Sequence, residues 1–119
     1  MELSPMDRMI LPNLFESKER QALYQLICGV RLIGKHHMVE KENYIYDVTQ
    51  VVGISSQDKE KSRSLTREEM VMTMKNMEDI KKLYLAKFAS KVALIGGISQ
   101  QETIFLNMLY KEIEVPEEF

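Results

Sequence analysis

Apolar residues recur along most of this chain at the three-and-four spacing of an α-helix, and a few glycines and prolines break the recurrence. Leu23, Leu26, Ile27, Val30 and Ile33 follow the template in the first long run, with Glu19, Arg20 and Gln21 on the polar side. Asn13 followed by Glu16 has capping-box spacing, which predicts a helix from about there to Ile33, stopped by Gly34. The stretch from Lys35 to Val39 reads as a loop. Glu40 and Glu42 favour the positive end of a helix dipole and open a second helix, expected from Glu40 to Val52. Tyr44, Ile45, Val48 and Val52 form its apolar side. The β-branched run from Val48 to Val52 also suits a strand, but the helical spacing behind it and Gly53 after it decide for helix.

The middle of the chain is polar. Ser55 or Ser56 can start a short exposed helix, and Thr66 with Glu69 forms a capping box for another through Met70, Met74 and Met77. A long helix is expected from Asp79 to Ile95, with Ile80, Leu83, Tyr84, Phe88, Val92 and Ile95 inward and Lys81, Lys82, Lys87 and Lys91 outward. Gly96 and Gly97 end it. Ser99 and Glu102 make a further capping box, and the last helix carries Ile104, Phe105, Met108, Leu109 and Ile113 before Pro116 stops it.

One grammar is thus written twice. An amphipathic helix ends in Leu-Ile-Gly, at Gly34 and again 62 positions later at Gly96, and a turn and an acidic helix start follow. Glu102 lies six residues after its glycine, so either Glu40 or Glu42 answers it in the first copy. The expected fold is all-α: a single-domain helical bundle of two pseudo-repeated helix–turn–helix units with short helices between them. Residues 1–12 are an N-terminal arm in which Met6, Met9, Ile10 and Leu11 pack on the body, residues 13–116 form the domain, and residues 117–119 form a tail.

This pattern resembles the TerB-like family, named from tellurite-resistance proteins, over roughly residues 17–116. Members of that family look like two helix–turn–helix units, each with an Ala-Asp-Gly turn, an aliphatic residue two positions on, and a Glu opening the next helix. Gly96, Ile98 and Glu102 match that turn; Gly34 with Glu40 or Glu42 matches it less well. The middle segments from Gly53 to Asp58 and from Leu65 to Glu69 are similar as well. The family's acidic turns suggest metal binding, but this chain has Ile33 and Ile95 where the family has Asp. Each turn keeps only glutamates with a structural reason to be there, and a hard cation needs several oxygen ligands. Ile95 is therefore expected to face the core. The resemblance implies a stress-response or membrane-associated context.

Composition narrows the function. With 119 residues, 45% of them hydrophobic and 29% charged, the chain suits one folded domain. A net charge of −2 gives no bulk attraction to nucleic acid. Lys59, Lys61, Arg63 and Arg67 are interleaved with Glu60, Glu68 and Glu69 and read as a mixed solvated face. The N-terminus lacks the basic and apolar regions of a signal peptide, and no apolar run approaches the roughly 18 residues of a transmembrane helix. A soluble cytoplasmic protein is expected.

Chemistry has few candidates. Cys28 is the one cysteine, so no intramolecular disulfide forms, and it reads as a small buried hydrophobe. No phosphate loop, dinucleotide fingerprint, nucleophile elbow or paired-cysteine metal motif is present. His36 and His37, joined by Glu40 or Glu42, and by Glu102 at the second turn, are the residues from which a metal site could be built, without the i, i+4 spacing of a strong zinc motif. Met70, Met72, Met74 and Met77 either fill the core or line an adaptable partner groove. No catalytic, cofactor-binding or metal-binding residue is assigned. The expected role is a small non-catalytic interaction or adaptor protein with an unknown protein partner, with a homodimer built on Met6, Met9, Ile10 and Leu11 as one form of it. The competing reading is a metal-binding sensor or metal-dependent protein.

Overall fold

A computed structural model describes residues 3–117, and among these the chain is all-helical. Helix α1 spans Pro5–Ile10 and runs into a 3-10 turn at Leu11–Asn13; α2 spans Ser17–Ile33, α3 Met38–Val52, α4 Ser56–Ser62, α5 Arg67–Lys75, α6 Asp79–Leu94 and α7 Gln100–Glu112. The strand-like runs at Val48–Val52 and Met70–Met74 are both helical.

Most helices start on a side-chain cap that the sequence encodes. Ser4 with Asp7, Ser55 with Asp58, Thr66 with Glu69 and Ser99 with Glu102 each satisfy two otherwise orphan backbone N–H groups reciprocally. The Asn13–Glu16 box does not form. Pro12 and Asn13 are spent in the 3-10 turn, and α2 starts at Ser17, where the Glu19 carboxylate accepts the Glu16 N–H at 2.8 Å. Helix α3 starts at Met38, two residues earlier than expected, behind His37 at a left-handed φ of 49°. Helix α7 stops at Glu112, ahead of Pro116, because Glu114 takes a left-handed φ of 61° and the Val115 N–H closes back on the Tyr110 carbonyl at 3.0 Å.

Helix α2 is the hub and packs against α3, α4, α5, α6 and α7. Its inner face, Leu23, Leu26, Ile27 and Val30, is fully buried or nearly so, as are Leu85, Phe88, Ala89 and Val92 of α6. The expected orientation of α6 needs correction. Ile80 is 46% exposed, while Lys81 and Lys82 are buried. Their apolar stems line the core edge and their ammonium groups reach polar partners, Lys81 the Glu19 carboxylate at 2.8 Å and Lys82 the Glu114 carbonyl at 3.4 Å. Helix α4 is latched to α2 by buried Asp58, which accepts from Arg20 Nε at 2.8 Å and Ser17 Oγ at 3.0 Å. Burial pushes the Asp58 carboxyl up, but Arg20, Ser55 and Ser17 outweigh it and hold it at about 2. The N-terminal segment packs on the body through fully buried Leu11 and through Asp7, which accepts from the Tyr84 hydroxyl at 2.6 Å.

Candidate functional site at the paired glycine turns

The two glycine turns meet at one end of the bundle, and each receives a side chain from the other hairpin. His36 Nε2 lies 2.7 Å from the Gly97 carbonyl, which only accepts, so that nitrogen carries the proton and donates. The His37 ring lies against Gly96, where a Cβ would collide with it, and Gly96 has a left-handed φ of 77°. In return the Glu102 carboxylate lies against Gly34, where a Cβ would collide with its oxygens. Both turn glycines are therefore required by close approach, and at Gly96 by backbone conformation as well.

A buried ion pair sits beneath this contact. Lys41 Nζ donates to the Gly34 carbonyl at 2.7 Å and to Glu102 Oε2 at 3.3 Å, and both side chains are fully buried. Glu102 Oε1 accepts the Ser99 N–H at 2.9 Å. Removing two ions from water costs several kcal/mol each unless pairing and hydrogen bonds replace the lost solvation. Here the carboxylate has two donors and the ammonium two acceptors. Burial raises the Glu102 pKa, but the Ser99 backbone N–H and hydroxyl and the Lys41 ammonium prevail, so its carboxyl titrates below the usual range and is ionised at neutral pH.

The residues considered as metal ligands share this end but do not converge. His37 Nδ1 is 3.5 Å from Glu40, Glu42 pairs with Arg31 at 3.1 Å, and Glu102 is held by Lys41. Among the described residues no group of three or more His, Cys, Asp or Glu side chains is placed to hold a metal ion. Ile95, expected in the core, is half-buried and lines a cleft of about 340 Å³ with Tyr44, Val48, Lys91 and others.

Lys41 is the residue that sequence reasoning missed. It stands four, seven and eleven residues before Ile45, Val48 and Val52, all buried, so it heads the core stripe of α3. Glu102 stands at the same offsets before Leu106, Leu109 and Ile113, and heads the core stripe of α7. A charged residue in register with an apolar stripe was the available signal.

Other candidates are placed as follows. Cys28 is half-buried, and burial pushes its thiol up despite the Tyr24 hydroxyl and the positive charges of Arg31, Lys59 and Arg63, so it is a neutral thiol and a poor nucleophile. Met74 and Met77 are buried and Met70 partly so; Met72, at 59% exposure, is the one that faces solvent. The cluster fills the core more than it lines a groove. No helix among the described residues is long and apolar enough to cross a membrane. No family model, curated protein or solved structure matches the chain.

Proposed function

We propose that this chain is a small non-catalytic interaction protein of TerB-like organisation, whose partner surface is the end where the two glycine turns abut. The observation that carries the reading is the exposure of Leu32, Ile33, Val39, Leu94 and Ile98, at 36% to 67%, on those turns and the helix ends beside them. Apolar side chains grouped on a rigid surface mark interaction sites more often than scattered ones do. The ion pair and reciprocal glycine contacts beneath them keep that end from rearranging, so a partner meets a preorganised surface.

Burial register supports the two-unit organisation. Leu23, Leu26, Ile27 and Val30 of α2 recur as Leu85, Phe88, Ala89 and Val92 of α6, each 62 positions on, and all eight are buried. The stripes of α3 and α7, headed by Lys41 and Glu102, recur at 61 positions. On this register the counterpart of Glu102 is Lys41, and neither Glu40 nor Glu42. A role in stress-response assemblies and a cytoplasmic location belong to the same proposal, by analogy with the family.

The test compares the wild-type chain with Val39→Glu and Leu94→Glu as bait for chemical cross-linking in the native cell. A protein cross-linked by the wild type and lost from both variants, with melting temperatures unchanged, supports the reading. The same cross-links from all three baits remove the turn end as the surface. Sedimentation separates the homodimer form: Met6 and Met9 are 68% and 81% exposed, whereas Leu11 is fully buried and unavailable to an interface. A monomer at high concentration leaves a different protein as the partner.

A further inference from the structure

Gly29 lies in the middle of α2, the most contacted helix, yet nothing in the structure requires it to be glycine. A Cβ built there meets no atom within 4 Å. Glycine is the costliest residue after proline in a helix interior, so a position that tolerates alanine sterically and gains nothing from glycine internally is unexplained by the fold. The missing side chain leaves a groove of about 220 Å³ between α2, α5 and α7, lined by Gln25, Leu26, Gly29, Arg67, Met70 and Phe105. Its lining is mainly apolar, and Met108, 67% exposed, stands one turn on from Phe105.

Charge selects the occupant. Arg67 is the one ionised side chain that lines the groove, and no carboxylate does. Its partner Glu112, at 3.0 Å, lies outside the groove lining, and both side chains are more than 40% exposed, so the pair is readily exchanged for another carboxylate. We propose that the groove over Gly29 receives one bulky apolar side chain from an acidic peptide segment of a partner protein, with Arg67 pairing the flanking carboxylate. The volume suits a single large aromatic or aliphatic side chain, and glycine leaves the floor open for it. This rests on the reading of the chain as an interaction protein but uses a different surface from the turn end, so the Val39→Glu and Leu94→Glu comparison succeeds or fails separately.

The chain contains no tryptophan, so a tryptophan probe reports binding without background. The probes are the blocked tripeptides acetyl-Glu-Trp-Glu-amide and acetyl-Gln-Trp-Gln-amide, titrated with the full chain while indole emission is followed. The expected result is a saturable blue shift with millimolar affinity, tighter for the acidic probe. Gly29→Leu should fill the groove and weaken binding by about tenfold or more. Gly29→Ala should raise the melting temperature while weakening binding, a combination that a purely structural glycine does not produce, and it serves alone if the leucine variant fails to fold. Arg67→Gln should erase the preference for the acidic probe. Absence of a saturable shift, binding unchanged in Gly29→Ala, or equal affinity for the two probes would overturn the proposal.

Discussion

The first turn, Gly34 to Lys41, and the second, Gly96 to Glu102, are written in one grammar and do opposite electrostatic work. In the second, Ser99 caps α7 from an extended backbone, and Glu102 completes the capping box before turning its other oxygen inward. In the first, the helix-starting residue is His37 in a left-handed conformation with no side-chain cap. Glu40, the third residue of α3 as Glu102 is of α7, reaches out to His37 and stays 59% exposed at its side chain. The inward position falls one residue later, to Lys41. A one-residue difference in turn length therefore replaces a second acid by a base. Two buried carboxylates at this contact would repel each other, whereas a carboxylate and an ammonium tie the hairpins together.

The largest test of that difference removes one partner. Lys41→Met leaves the Glu102 carboxylate buried without its counter-ion and should cost about 3–5 kcal/mol of unfolding free energy by denaturant titration. Adding Glu102→Leu should recover much of the loss, since an apolar pair in that space desolvates nothing. A double variant no more stable than Lys41→Met alone would mean the pair is not the tie. The pH dependence follows from sign. The Glu102 carboxyl is held below its ordinary 4.5, so its stabilisation is complete above that value and lost as pH falls through the lower folded one. Glu102→Gln should flatten the acid limb of stability below about pH 4.5 without abolishing it, because Asp58, lowered to about 2 from 3.8, still contributes.

The glycines separate the turns next. Gly34→Ala drives a methyl into a carboxylate fixed by Ser99 and Lys41, and should cost on the order of 3 kcal/mol. Gly96→Ala meets the His37 ring, which is 52% exposed at its side chain and free to swing away. There the left-handed backbone supplies most of the penalty, roughly 1–2 kcal/mol. Thermal melts of the two variants should rank in that order. The reverse ranking would place the rigid contact at Gly96 instead.

These residues show where sequence reasoning reaches and where it stops. Three capping boxes, at Ser4, Thr66 and Ser99, turn on residues within three positions of one another, and the two of these at Thr66 and Ser99 are plain in the sequence. The glycine stops and the helical class were legible for the same reason, since local hydrogen bonding decides them. Lys41, Lys81 and Lys82 were not. A lysine counts as polar in any periodicity, so its stem and its ammonium are assigned to solvent together, and only tertiary partners such as Glu102, Glu19 and the Glu114 carbonyl reveal the opposite. The same gap hid the site. Nothing local to Gly34 announces that a carboxylate 68 positions later lies on it.

A smaller effect isolates the cap. Ser99→Ala removes the hydroxyl that accepts the Glu102 N–H at 3.1 Å and should cost about 1 kcal/mol, the ordinary worth of such a cap. It leaves the ion pair in place, so combining it with Lys41→Met tests whether capping and pairing act on one carboxylate. A combined loss smaller than the sum of the two would show that Lys41 relies on Ser99 to aim Glu102.

The smallest expected effect completes the contrast between the two turns. Glu40→Gln keeps the size of the side chain at the position in α3 that Glu102 occupies in α7. Its carboxylate is exposed and 3.5 Å from the His37 ring, so water solvates it about as well as the histidine does. Exposed pairs of this kind contribute within roughly 0.5 kcal/mol, and salt screens what remains. The unfolding free energy of Glu40→Gln should therefore match the wild type at neutral pH, and its acid limb should keep the wild-type slope, unlike that of Glu102→Gln. A loss approaching that of Lys41→Met would mean that Glu40 also acts on the buried contact, and the two turns would then be alike in function as well as in grammar.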